Sequence, residues 1–332
     1  MEFTAALIQW YDAHKRTLPW RGAGDAYAIL VSEIMLQQTR AAAVIPYYRR
    51  FREKLPTVEK LAACPEERLL KLWEGLGYYS RARNLKKCAE AVVNEHGGSF
   101  PHTVAELRKF PGIGPYTAGA IASIAFCEPE PAVDGNVLRV MARLYEDEGN
   151  VTDQKVRDRW AVFLRARMGD RPGDLNQAFM DLGSLVCLPK APLCESCPLG
   201  DCCGAKEHGT QADYPNRGER KTKRQEDLTV FAVKSGDSFL IRRRPEKGLL
   251  SGLYELPNLP GHLSQAEIGQ ALTSLSLRPL GAWEIVHRQH IFTHVVWHMQ
   301  VVRLTVEQVD VPGYIWYSGQ EPIPEAFSKC LP

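Results

Sequence analysis

The chain has 332 residues, 45% hydrophobic and 24% charged, with a net charge of +2; that length predicts about two domains of ordinary globular composition. A charge so near neutrality excludes a generally polycationic chain, so any nucleic-acid surface must come from local segregation of charge. No apolar run reaches the ~18 residues of a membrane span, and "MEFTAALIQWYDAHKR" shows no basic segment ahead of an apolar one, so no signal peptide is expected. Nine cysteines, an odd number, argue against a disulfide framework and for a reducing cytoplasm and a metal site.

Residues 1–186 read as helices. Phe3, Ala6, Leu7, Trp10 and Tyr11 recur at helical spacing. "YAILVSEIMLQQT" (27–39) is apolar almost all round and is expected to be buried. "EERLLKLWEGL", "RARNLKKCAEAVVNEH", "VRDRWAVFLRARM" and "LNQAFMDLGSLVC" are further helical stretches. Thr103 and Glu106 have capping-box spacing ahead of "VAELRKF". After Cys203 the polar stretch 205–227 reads as a linker. From Leu228 the pattern is β-like. "LTVFAV" and "SFLIRRR" flank a glycine turn, "HIFTHVVWHMQVVRL" reads as a strand pair or one long strand, and "SQAEIGQALTSL" as a helix. Three regions are therefore expected: 1–204 all-α, 205–227 linker, 228–332 α+β.

Five cysteines fall between Cys187 and Cys203. Cys187, Cys194, Cys197 and Cys203 are spaced C-x6-C-x2-C-x5-C, which suits either tetrahedral zinc or a cubane iron–sulfur cluster. In "FPGIGPYTAGAI", Gly112 and Gly114 let backbone N–H groups at a new helix start approach a phosphate without reading base sequence; the alternative is an αα-turn that needs glycine for packing. Asp134, directly before Gly135 and Asn136, reads most simply as a helix N-cap that can also face a cleft. Glu33, flanked by Ile29, Leu30, Ile34 and Leu36, is either a partner-satisfied or surface glutamate or a desolvated acid that keeps its proton near neutrality.

"SEIMLQQTR", "GLGYYSRARNL", "FPGIGPYTAGAI", "VDGNVLRVMARL", "NQAFMDLG" and the four cysteines occur together and in order. In this combination the chain resembles the helix-hairpin-helix DNA glycosylases of the endonuclease III superfamily, and within them the adenine DNA glycosylases (MutY type). The likeness is close from about residue 5 to 203 and looser beyond. It implies a [4Fe–4S] cluster on Cys187, Cys194, Cys197 and Cys203, leaving Cys202 outside, and a cluster loop that turns Lys190 toward DNA. Relatives that cut the strand carry a lysine where this chain has Tyr116, and a phenol forms no Schiff base. The resemblance therefore implies a monofunctional enzyme that removes adenine mispaired with 8-oxoguanine or guanine and leaves the backbone intact. A bifunctional lyase for oxidised pyrimidines and a non-catalytic lesion binder are the rivals.

By the same likeness Glu33 protonates the extruded adenine, Asp134 stabilises or traps the sugar cation, and Tyr116 and Asn136 hydrogen-bond these groups. Arg21 and Gln177 line the adenine pocket. Gln38, Thr39 and Tyr78 fill or wedge the duplex, while Gly112 and Gly114 hold the backbone. The C-terminal region resembles a Nudix-like (MutT-like) module without the glutamate cluster of the hydrolases. It is expected to read 8-oxoguanine through Phe292, Thr293 and His294, where the family usually has Phe-Ser-His. Expected partners are double-stranded DNA with A:8-oxoguanine or A:G mispairs and no membrane, for a monomer in the cytoplasm, associated with the nucleoid.

Overall fold

The computed structural model describes residues 3–22, 24–218 and 222–332. They divide into two compact units. One takes the described residues of 1–64 and 80–220, the other those of 65–79 and 221–332.

The first unit is helical. In chain order it holds α1 (Phe3–His14), α2 (Ala26–Leu36), α3 (Ala41–Lys54) and α4 (Val58–Ala62); α5 (Glu66–Trp73) belongs to the second unit. Then come α6 (Ser80–His96), α7 (Val104–Leu107), α8 (Pro115–Phe126), α9 (Gly135–Tyr145), α10 (Gln154–Arg165), α11 (Pro172–Leu185) and the short α12 (Gly204–His208). Asp25 caps α2 by accepting from Tyr27 N at 3.0 Å, and every residue from Ala26 to Met35 is buried. The helix expected over 27–39 stops at Leu36, because Gln38 turns into the left-handed region at φ 58°.

Two glycines in the α7–α8 region are there for space. Gly112 has φ 81°, and a Cβ on it would lie 2.8 Å from Asn84 Cβ. Gly119, inside α8, passes so close to the following loop that a Cβ would lie 2.6 Å from Pro131 O. Pro115 at the first position of α8 carries no N–H and starts the helix after Gly114. Phe3, Leu7 and Tyr11 of α1 pack with Leu138 and Met141 of α9, Trp160 of α10 and Phe179 of α11 in one core.

The second unit is a mixed sheet. Its strands are β1 (Arg224–Ser235), β2 (Ser238–Arg243), β3 (Tyr254–Glu255), β4 (Asn258–Pro260), β5 (Glu284–Ile291), β6 (Val295–Thr305) and β7 (Ile315–Trp316). The order is β3-β2-β1-β6-β5, with β4 pairing β1 and β7 pairing β2. β1 and β6 are parallel, while β5 and β6 form an antiparallel hairpin. Along β1, Val230 and Ala232 enter one core with Phe327 of α14 (Glu325–Ser328), and Phe231 and Val233 enter another with Leu272 of α13 (Gln265–Ser274). Burial on both faces explains the unbroken apolar run "VFAV".

The observed division differs from the expected one in two places. α5 and the turn after it join the β unit: Lys71 Nζ donates to Tyr317 Oη at 3.2 Å, and Glu74 Oε1 accepts from Ile323 N at 2.8 Å. The stretch expected to be a linker is built into structure at both ends. α12 opens it, the carbonyls of Gln211 and Tyr214 accept from the buried Arg143 Nε, and β1 begins at Arg224. Residues 219–221, in the middle of that stretch, lie outside the described residues.

Candidate active site and cysteine pocket

Glu33 is 5% exposed and lines a pocket with Arg16, Trp20, Arg21, Ser32, Gln177 and Met180. Tyr116 Oη, from α8, donates to Glu33 Oε2 at 2.6 Å. Burial is the largest influence on this carboxyl and pushes it up to about 7; the Tyr116 bond and the Arg21 charge pull down, and the Asp134 charge pushes up. A carboxyl at that value carries its proton on about half the molecules at pH 7.

Arg21 is held from behind by an unforeseen residue. Asp181 of α11, whose side chain is fully buried, accepts from Arg21 Nη1 and Nη2 at 2.6 and 2.7 Å and from Arg16 Nε at 2.7 Å. The two guanidinium groups keep Asp181 ionised against its burial. Asp181 stands four residues after Gln177, so helical spacing carried a signal for it.

Asp134 is both a helix cap and a charge in reach of Glu33. Its Oδ1 accepts from Asn136 N at 2.8 Å and Val137 N at 2.9 Å, and its Oδ2 from Asn136 Nδ2 at 2.7 Å. Burial raises its proton affinity, opposed by these three donors and by Arg139. Arg139 continues the chain of contacts: Nη2 donates to Asn136 Oδ1 at 2.9 Å and Gly183 O at 2.7 Å, and Nε to Cys187 O at 2.9 Å. One set of hydrogen bonds thus runs from Asp134 to the first cysteine.

Cys187, Cys194, Cys197 and Cys203 line a second pocket, walled by Val140, Leu144, Leu182, Val186, Leu193 and Leu199. Cys202 is exposed and does not line it. Burial pushes the Cys197 thiol up to about 11, and the neighbouring cysteines push the same way. Four thiolates in so apolar a place need cationic compensation, which a metal group supplies. Arg143 Nη1, also on the wall, donates to Cys187 Sγ at 3.3 Å. Among the described residues no three His, Cys, Asp or Glu side chains converge on one ion. Four cysteine side chains around one apolar pocket are a donor set that either tetrahedral zinc or a cubane iron–sulfur cluster can use.

The remaining expected residues fall in both units. Gln38 is exposed and Thr39 half-buried, directly after α2; Gly112 and Gly114 lie between α7 and α8. In the second unit, Phe292, Thr293 and His294 form the β5–β6 turn, and Tyr78 Oη lies 3.2 Å from Thr293 Oγ1. Lys190 is exposed in the cysteine loop. Sequence reasoning did not single out Arg16, Met180, Asp181 or Arg139.

Residues 31–165 match the HhH-GPD superfamily of base excision DNA repair proteins, and residues 229–331 match the NUDIX domain. Adenine DNA glycosylase of Mus musculus is 36% identical over 392 aligned positions, covering 99% of this chain and 76% of that protein. Its counterpart from Homo sapiens is 34% identical, covering 96% of this chain and 70% of its own length. A non-covalent endonuclease III–DNA complex superposes with a TM-score of 0.53 at 25% identity, over 63% of this chain and 95% of that one.

Proposed function

The chain belongs to the adenine DNA glycosylase family, and on that premise we propose that it excises adenine paired with 8-oxoguanine or guanine through acid catalysis by Glu33. The observation that carries this reading is the buried Glu33 carboxyl, raised to about 7 and bonded to Tyr116, in a pocket it shares with Arg21 and Gln177.

Adenine has to leave the stack before a side chain can reach its ring. Gln38 and Thr39 fill the vacated space, Tyr78 wedges the duplex, and the Gly112–Gly114 turn holds a phosphate on the N-terminus of α8. Arg21 and Gln177 orient the extruded base. Glu33 gives its proton to a ring nitrogen, which makes the base a neutral leaving group. As the N-glycosidic bond breaks, positive charge develops on the sugar, and Asp134 balances or briefly traps it. Its three hydrogen-bond donors favour the ionised form this role needs. Glu33, now a carboxylate, draws a proton from water as the water attacks. One neutral and one charged carboxyl divide the work, as in sugar hydrolases.

Cys187, Cys194, Cys197 and Cys203 would hold a [4Fe–4S] cluster, which when bound would organise their loop and turn Lys190 toward phosphate. Thr293, with Phe292 and His294, reads the base opposite the adenine.

The test is single-turnover excision on duplexes with adenine opposite 8-oxoguanine, guanine or thymine. Release of adenine from the first two, with strands cut only after alkali, is the expected result. Efficient borohydride trapping of a protein–DNA adduct would overturn the monofunctional assignment.

A further inference from the structure

Arg81 places a cation at the end of the helix that carries Glu33. It is 8% exposed, and its Nη1 donates to Ile34 O at 2.9 Å, Met35 O at 2.9 Å and Gln37 O at 2.5 Å. These carbonyls close α2 and form the negative pole of its dipole. The same Gln37 O accepts from Thr39 Oγ1 at 3.3 Å, and Thr39 N reaches back to Leu36 O at 3.1 Å. Between them Gln38 is held at φ 58°, a conformation that a residue with a side chain keeps only where its surroundings enforce it. Leu36 and Ala41, on either side of this turn, line the Glu33 pocket. One guanidinium therefore gathers the end of α2 and the turn after it into a single piece at the pocket rim.

We propose that Arg81 is a positioning residue for base extrusion: it presets the Gln38–Thr39 turn as a rigid wedge before DNA arrives. The inference rests on the reading of this turn as the part that enters the duplex. Without the cation, the helix-end carbonyls lose a buried donor and Gln38 relaxes out of the left-handed region. The turn then has to be ordered during binding, and extrusion suffers while the proton-transfer geometry at Glu33 stays intact.

The test uses the full chain with Glu33→Gln as the parent, so that bound DNA is not consumed. 2-Aminopurine stands at the adenine position opposite 8-oxoguanine and reports unstacking by fluorescence. The parent is expected to give a rise on binding, and Arg81→Met in that parent to cut the extrusion equilibrium about tenfold while affinity for undamaged duplex changes less than about twofold. Arg81→Lys, which keeps the charge and a set of donors, is expected to restore part of the signal. In the wild-type Glu33 background, Arg81→Met is expected to lower the single-turnover rate with its pH midpoint unmoved. A fluorescence rise equal to the parent's, or a displaced pH midpoint, would overturn the proposal. If Arg81→Met does not fold, Arg81→Lys carries the test: partial loss of extrusion is the supporting result and an undiminished rise the opposing one. Failure of both to fold makes Arg81 a folding residue and ends the proposal. Wild-type excision is the control: its absence defeats the glycosylase reading, whereas normal excision with undiminished extrusion in Arg81→Met defeats only this inference.

Discussion

Tyr116 Oη donates to Glu33 Oε2 at 2.6 Å and lies 3.6 Å from Met180 Sδ. The bond favours the carboxylate, so Tyr116 pulls the Glu33 proton affinity down while burial drives it up. Tyr116→Phe removes the donor and leaves the burial. Glu33 should then hold its proton to higher pH, and the alkaline limb of the single-turnover rate should move up from about 7. A hydrogen bond to a charged group, worth about 1.5–3 kcal/mol, corresponds to a displacement of about one to two pH units. pH–rate profiles of the two proteins check the direction; movement of the limb to lower pH contradicts it.

Glu33→Gln separates chemistry from stability. Loss of the acid should slow adenine release by a factor of about 100 to 10,000 while duplex affinity is kept. Stability should change in the opposite sense. Glu33 rises from an ordinary 4.5 to about 7 on folding, so between these values the folded state holds the proton more tightly. Stability is then full below 4.5 and falls as pH rises through 7, by about 3 kcal/mol. Glutamine carries no such ionisation. Urea unfolding should show Glu33→Gln gaining on the wild type at pH 8 and losing most of that gain at pH 4.5. An equal difference at both values would refute the buried-acid account.

Adjacent cysteines should behave oppositely. Cys203 lines the pocket with the other three cysteines and packs on the helical core, whereas Cys202 is exposed and its Sγ donates to Leu199 O at 3.4 Å. Cys203→Ala should abolish iron and sulfide incorporation and loosen the loop around Lys190, and Cys202→Ala should leave the brown chromophore unchanged. Iron and acid-labile sulfide analysis with the visible spectrum distinguishes them. A colourless wild type containing one zinc would reject the cluster.

Much of this arrangement was legible in the sequence because it is local. The apolar run around Glu33 announced a buried helix while leaving the state of its acid open, and Asp134-Gly135-Asn136 announced a cap that the structure builds with bonds two and three residues long. The features that escaped notice join distant parts of the chain. Asp181 meets Arg21 across 160 residues, and α5 leaves its sequence neighbours for the β unit through single polar contacts that leave no periodicity. The end of α2 was misjudged for the same reason. Helix propensity through Gln37 and Gln38 favours continuation, and the guanidinium that takes the last carbonyls comes from Arg81, more than forty residues on.

Asp181 is a single anion between two guanidinium groups. Asp181→Asn keeps the shape but leaves two cations without their counter-charge, a loss of about 3–5 kcal/mol for a broken buried pair. The cost should appear in denaturant midpoints. Since Arg21 would also lose its bidentate anchor, KM for the lesion duplex should rise. A variant as stable as the wild type would deny Asp181 this part.

Thr293 stands at the tip of the β5–β6 hairpin, anchored on both sides. Phe292 stacks edge-on against Trp297 at 4.8 Å and its carbonyl accepts from Lys223 Nζ at 2.8 Å, while His294 O accepts from Arg224 N at 3.0 Å. The exposed hydroxyl can donate or accept. 8-Oxoguanine differs from guanine on its Hoogsteen edge, with a donor at N7 and an oxygen at C8, and a hydroxyl held here can answer either group. One hydrogen bond made to the lesion and not to guanine is worth about 1.4 kcal/mol, or about tenfold in discrimination. Thr293→Ala should therefore bring the ratio of excision opposite 8-oxoguanine to excision opposite guanine down by about that factor. Thr293→Ser, which keeps the hydroxyl and loses only the methyl group, should hold it. Competition between the two duplexes in one single-turnover reaction measures the ratio directly, and equal discrimination in Thr293→Ala and wild type removes Thr293 from lesion reading.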